Sequence, residues 1–244
     1  MERKLRHSLT VEPFHTDCFG RLSLPVLGTH LLNVAHRHGA SHSFGADSLG
    51  SVNGAWVLAR LVLEMSEWPL VHQSFVIETW LEKLYRNFVE RNYLFYDLQG
   101  LLLGRAKTVW SLLDSQSRRP LRLTPSLEQS VMSVLLPESN GLSLPARFVP
   151  VGEVVERGRF VPGYTDLDIN GHVNSMRYIG ELLNLFPLPY LQSHPLCSLE
   201  VSYAAESYVE DVLTISGWQE SVHSYAFRFH RGEELLVSAR FLFS

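Results

Sequence analysis

At 244 residues, with 45% hydrophobic and 19% charged positions, the chain suffices for one large domain or two small ones, and wholesale disorder is excluded. A formal net charge of −4 fits general nucleic-acid binding poorly. The longest apolar run, Trp56 to Met65, is broken by Arg60 and falls short of a membrane span, so no membrane insertion is expected.

The start, MERKLRHSLT, is basic but leads into no apolar segment, so it does not read as a secretory signal. Cys18 and Cys197 are too few for a disulfide framework and form no CxxC pair, which points to a reducing, cytoplasmic setting. Ser8–Phe14 reads as extended. From Leu24 to about His42, Leu24, Leu27, Leu31, Leu32, Val34 and Ala35 recur near helical spacing, with Pro25 in the first turn and Gly39 near the end. Strands are expected at Ala55–Met65, Ser74–Leu84, Phe88–Asp97 and Leu101–Leu113, rich in Val, Trp, Tyr, Phe and Thr.

Prolines at 120, 125, 137, 145 and 150 then mark a connection, with one short helix between Ser126 and Leu136. The expected division is a first domain over 1–124, a linker over 125–150 and a second domain over 151–244. The second half repeats the order of the first. Gly158–Tyr164 is extended, a helix runs from about Val173 to Leu185, and strands follow at Cys197–Ala204, Val212–Gln219, Tyr225–His230 and Leu235–Phe243. Phe14, Asp17 and Gly20 echo Tyr164, Asp168 and Gly171 if one gap is allowed. The fold class is α+β, a long helix wrapped by antiparallel sheet, twice; one large barrel is the alternative.

Charge is uneven: residues 1–145 carry fourteen basic and thirteen acidic groups, residues 146–244 seven and twelve. Arg118, Arg119 and Arg122 form the tightest arginine cluster, which suits either a solvated turn or the docking of an acidic partner. His38 and His42 stand at metal-binding spacing, but no carboxylate or cysteine completes a set, so no metal is expected. No GxSxG, GxGxxG or GKS/T motif is present, which weighs against an α/β-hydrolase and against nucleotide use, and no cofactor is implied.

The densest polar cluster runs from Tyr164 to Asn174. In an extended backbone Asp168, Asn170 and His172 would face one side, just before a helix whose N-terminal N–H groups favour negative charge. Asp and Asn equally suit turn and cap duties.

The string TDLDINGHVNSMRYIGELLN resembles the D-x-N-x-H-V-N-x-x-x-Y signature of acyl-acyl carrier protein thioesterases, which have tandem hot-dog folds. GRLSLPVLGTHLLNVA, WVLARLVLEM, and Thr79-Trp80 followed by Phe88 and Arg91 are similar to that family's N-terminal domain. Tyr203-Ala204-Ala205-Glu206 matches its Tyr-x-x-Glu position. The resemblance implies hydrolysis of fatty acyl-carrier thioesters, with Asp168, Asn170, His172 and Glu206 as catalytic residues. Plant members carry a cysteine after the glutamate; Ser207 stands here, and serine without an adjacent base is a weak nucleophile. Glu206 is therefore expected to act on water, directly or through a transient anhydride, with His172 holding water or substrate, Asn170 polarising the carbonyl and Asp168 orienting its neighbours.

The first half lacks this chemistry, since Phe19 and Arg21 stand where Asn170 and His172 stand. The resemblance assigns it to covering the acyl chain, and Trp56, Trp80 and Trp110 are candidates to line that pocket. On charge alone Arg118, Arg119 and Arg122 are expected to dock the acidic carrier, with Arg3, Lys4, Arg6, Arg157 and Arg159 as the competing patch. An acyl-CoA thioesterase, a hot-dog dehydratase and a non-catalytic acyl-binding sensor are the alternatives, and a homodimer stays open.

Overall fold

The structure, a computed structural model, describes residues 2–50, 53–144, 148–150 and 153–244. Two compact units divide the chain: Met1–Leu61 with Ser66–Ser143, and Val62–Met65 with Leu144–Ser244. No helix among the described residues is long and apolar enough to cross a membrane.

The first unit contains strands β1 (Leu5–Thr10), β3 (Ser74–Tyr85), β4 (Phe88–Asp97) and β5 (Leu102–Asp114), with β2 (Gly54–Met65) as far as Leu61, its last four residues belonging to the second unit; the sheet order is β1-β3-β4-β5-β2. The pairs β1–β3, β3–β4 and β4–β5 are antiparallel. Helix α1 (Leu24–Ser41) opens on Leu24 and Pro25 and buries Leu24, Leu27, Leu31, Val34, Ala35 and His38 on one stripe. Its end is a tight crossing. A Cβ at Gly45 would lie 2.8 Å from Ala40 N and 2.9 Å from Ala40 Cα, so glycine is what lets the chain fold back there. A short helix, α2 (Ala46–Leu49), follows.

Residues after β5 pack on this unit. Thr124 caps α3 (Pro125–Val134), which buries Leu127, Val131 and Val134 against Leu81, Val89 and Leu112. Beyond it the Trp80 indole N–H and the Asn92 amide both donate to Glu138 O, and the Asn140 amide donates to Tyr93 O and Ala106 O.

The second unit repeats the plan with β6 (Val155–Phe160), α4 (Ser175–Leu183), α5 (Leu188–Ser193), β7 (Leu196–Tyr203), β8 (Leu213–Ser221), β9 (Ser224–Arg231) and β10 (Glu234–Phe243). Its sheet order is β7-β10-β9-β8-β6, with every adjacent pair antiparallel. Helix α4 buries Met176, Tyr178, Ile179 and Leu182, and the Tyr178 ring meets Tyr203 of β7 and Phe229 of β9 edge-on. Each unit is thus a helix on an antiparallel sheet, the hot-dog plan in tandem.

A polar cluster of His38, Arg91 and Thr79 lies deep in the first core. His38 is 1% exposed, with Nδ1 3.0 Å from Arg91 Nη1, which also donates to Thr79 Oγ1 at 3.2 Å. Because guanidinium only donates, Nδ1 is the acceptor. Burial, reinforced by the Arg91 charge, pushes the imidazole down to about 3. An unfolded histidine titrates near 6.5, so below that pH the unfolded chain takes up a proton that the folded one refuses. Stability should therefore fall as pH drops from 6.5 toward 3, by up to about 1.4 kcal/mol per unit from this residue. Urea unfolding at pH 7, 6 and 5 should show that slope, and His38→Gln should flatten it.

Candidate active site

The sequence Gly163 to Asn174 forms two linked turns. Tyr164–Asp166 makes one turn of 3-10 helix, in which Asp166 Oδ2 accepts from Gly163 N–H at 2.8 Å and Oδ1 lies 2.7 Å from Arg177 Nε. A tighter turn follows, closed where Leu167 bridges Val173. Asp168 N–H donates to His172 O at 2.8 Å, and Gly171 N–H to Asp168 O at 3.0 Å. Gly171 sits at φ +78°, where a side chain would be strained.

Asp168, Asn170 and His172 are therefore gathered by a turn and not by an extended strand, which corrects the geometry expected from alternation. Asp168 Oδ1 accepts from the N–H groups of Asn170 (2.8 Å) and His172 (3.2 Å), and Oδ2 lies 3.4 Å from Asn170 Nδ2. The carboxylate thus organises its own loop. Asn170 is exposed, while Asp168 and His172 are half-buried. Helix α4 is capped internally: Asn174 Oδ1 accepts from Met176 N–H, and Asn174 O from Arg177 N–H. Those two donors are already committed within the helix cap.

Glu206 arrives on the loop after β7. Ala204 and Ala205 donate to Leu236 O, which anchors the loop to β10. Val173 N–H donates to Ser207 O at 2.9 Å, joining it to the His172 turn. Glu206 Oε2 then lies 3.5 Å from His172 Nε2. The Tyr208 ring meets the His172 ring edge-on at 5.2 Å, with Arg231 stacked over its face and paired to Asp211 and Glu234. A base, an imidazole and an amide on one loop pair can hold a water and a carbonyl together.

Ser207 is fully buried, with Oγ 2.6 Å from Tyr178 Oη. The other expected residues belong to the first unit. Trp56 donates to Phe44 O and Trp80 to Glu138 O, with Lys4 over the Trp80 ring, and Trp110 donates to Thr108 Oγ1. Arg119 and Arg122 are exposed, whereas Arg118 is half-buried at φ +55°.

The first unit carries the same loops without the chemistry. Asp17 Oδ1 accepts from the N–H groups of Phe19 and Arg21, Asp17 N–H donates to Arg21 O, and Gly20 sits at φ +77°. Leu22 N–H donates to Pro69 O as Val173 does to Ser207 O, so Trp68 occupies the place of Glu206. The match continues through His72 and Glu210, at φ +67° and +65°. Bond for bond it needs no gap: Ser23 N–H donates to His15 O as Asn174 does to Asp166 O, setting Pro13, not Phe14, opposite Tyr164. Sequence reading missed the Trp68 counterpart, since only Val71 and Val209 agree across residues 68–73 and 206–211. Gly20→Ala and Gly171→Ala should each cost about 1 kcal/mol in unfolding measurements, while only Gly171→Ala should lower turnover.

Residues 2–131 match the family model described as the acyl-ACP thioesterase N-terminal domain, and residues 152–237 the one described as its C-terminal domain. The chain belongs to the acyl-ACP thioesterase family. A solved acyl-ACP thioesterase from Bacteroides thetaiotaomicron is 33% identical, with a TM-score of 0.92 over 99% of this chain and 98% of its own. The 12:0-ACP thioesterase of Umbellularia californica, at 18% identity, shares the fold with a TM-score of 0.87 over 100% of this chain and 98% of its own. A chloroplastic acyl-acyl carrier protein hydrolase from Cuphea viscosissima is 28% identical over 85% of this chain and 52% of its own. The chain thus spans about half the length of that curated acyl-ACP thioesterase relative.

Proposed function

We propose that the protein hydrolyses fatty acyl-acyl carrier protein thioesters to free fatty acid and holo carrier. The observation that carries this reading is the 3.5 Å approach of His172 Nε2 to Glu206 Oε2, in a chain of the acyl-ACP thioesterase family. A water beside the pair, hydrogen-bonded to both, gives a proton to the Glu206 carboxylate as the water oxygen adds to the thioester carbon. The Asn170 amide, steadied by Asp168, donates to the oxyanion. Collapse breaks the carbon–sulfur bond, and the leaving thiolate recovers the proton, giving acid and thiol. Asp168, Asn170, His172 and Glu206 thus serve the chemistry. The first domain, with Trp56 and Trp80, covers the acyl chain, and Arg118, Arg119 and Arg122 meet the acidic carrier.

The test is release of free thiol from matched acyl-carrier and acyl-CoA substrates. Carrier-bound substrate should be preferred, and the preference should shrink as salt rises. Reversing Arg119 and Arg122 to Glu should raise the apparent KM for the carrier substrate and leave a small neutral thioester unaffected. Equal turnover of acyl-CoA at every salt concentration would favour a CoA thioesterase; no turnover would leave an acyl-binding protein.

A further inference from the structure

The Tyr178–Ser207 pair has no part in the reaction written above, yet it lies beside both reacting groups. Ser207 follows Glu206, and its carbonyl holds Val173, the residue after His172. Its hydroxyl is 0% exposed and 2.6 Å from Tyr178 Oη, itself on a side chain only 3% exposed. The Tyr178 ring is fixed edge-on between Tyr203 and Phe229. Burying two hydroxyls is favourable only while they satisfy each other.

The first unit provides an internal control. By the loop register, Leu27 stands for Tyr178 and Pro69 for Ser207, and both are buried. The fold therefore accepts an apolar pair at this crossing. The hydroxyl pair occurs only where the neighbouring residue is Glu206 instead of Trp68.

We propose that Tyr178 and Ser207 are positioning residues that hold the Glu206 loop on α4, so that the carboxylate keeps its distance from His172. The inference rests on the hydrolytic reading. It also accounts for Ser207 as something other than a nucleophile, since a buried hydroxyl bonded to tyrosine has no room for an incoming thioester.

The test compares kcat and KM for wild type, Tyr178→Phe, Ser207→Ala and the double variant on one acyl-carrier substrate, with urea unfolding of each. Each single variant should lose about tenfold in kcat with KM within about twofold, and the double variant should lose no more than either alone. A further variant, Tyr178→Leu with Ser207→Pro, installs the first unit's own pair. It should fold and show the same kcat loss. Wild-type kcat in folded single variants, losses that multiply in the double variant, or losses confined to KM would overturn the proposal. Failure of the hydrolytic reading looks different: wild type would release no thiol, or Glu206→Gln would be fully active.

Discussion

Glu206→Gln should lower hydrolysis about a thousandfold or more while leaving acyl-carrier binding nearly intact. The amide keeps the size of the carboxylate, so the loop tied to Leu236 O and Val173 N–H has no reason to move. It cannot take a proton from water or add to the thioester carbon. Ser207→Ala should retain about a tenth of wild-type turnover, because its hydroxyl is turned into the core toward Tyr178. Steady-state kinetics on the two purified variants decides between them. A dead Ser207→Ala enzyme beside an active Glu206→Gln enzyme would reverse the assignment in favour of a serine acyl-enzyme.

His172→Ala should cost about a hundredfold in kcat, with the melting temperature within a few degrees of wild type. The imidazole is half-buried, meets the Tyr208 ring edge-on and lies 3.5 Å from the Glu206 carboxylate. The turn that carries it is built from backbone bonds to Asp168, which alanine keeps. Full activity in a well-folded variant would remove His172 from the mechanism.

Local patterns made most of the fold legible. Strand β4 was readable to the residue, and β3 and β5 to within one, because alternation and tight turns bound them. Helix α4 begins two residues later than periodicity suggests, since Val173 is spent on the bridge to Leu167 and Asn174 on the cap. Helix α5, set between Pro187 and His194, was missed because six residues are too few for a period to show.

The site was legible in a different way. Nothing in spacing alone joins His172 to Glu206; the family resemblance did. The Tyr178–Ser207 contact spans 29 positions and depends on β7 returning beside α4, which no local pattern encodes. Trp68 was invisible as a counterpart because backbone bonds, not side chains, define the equivalence.

The twin loops separate two burdens that usually fall on the same residues. Asp17 and Gly20, like Asp168 and Gly171, hold the turn; Phe19, Arg21 and Trp68 differ from Asn170, His172 and Glu206 without altering it. A spare copy built this way can drift in chemistry at little cost to folding. It also offers an engineer a frame in which reactive side chains are interchangeable inserts, provided the aspartate and the glycine stay.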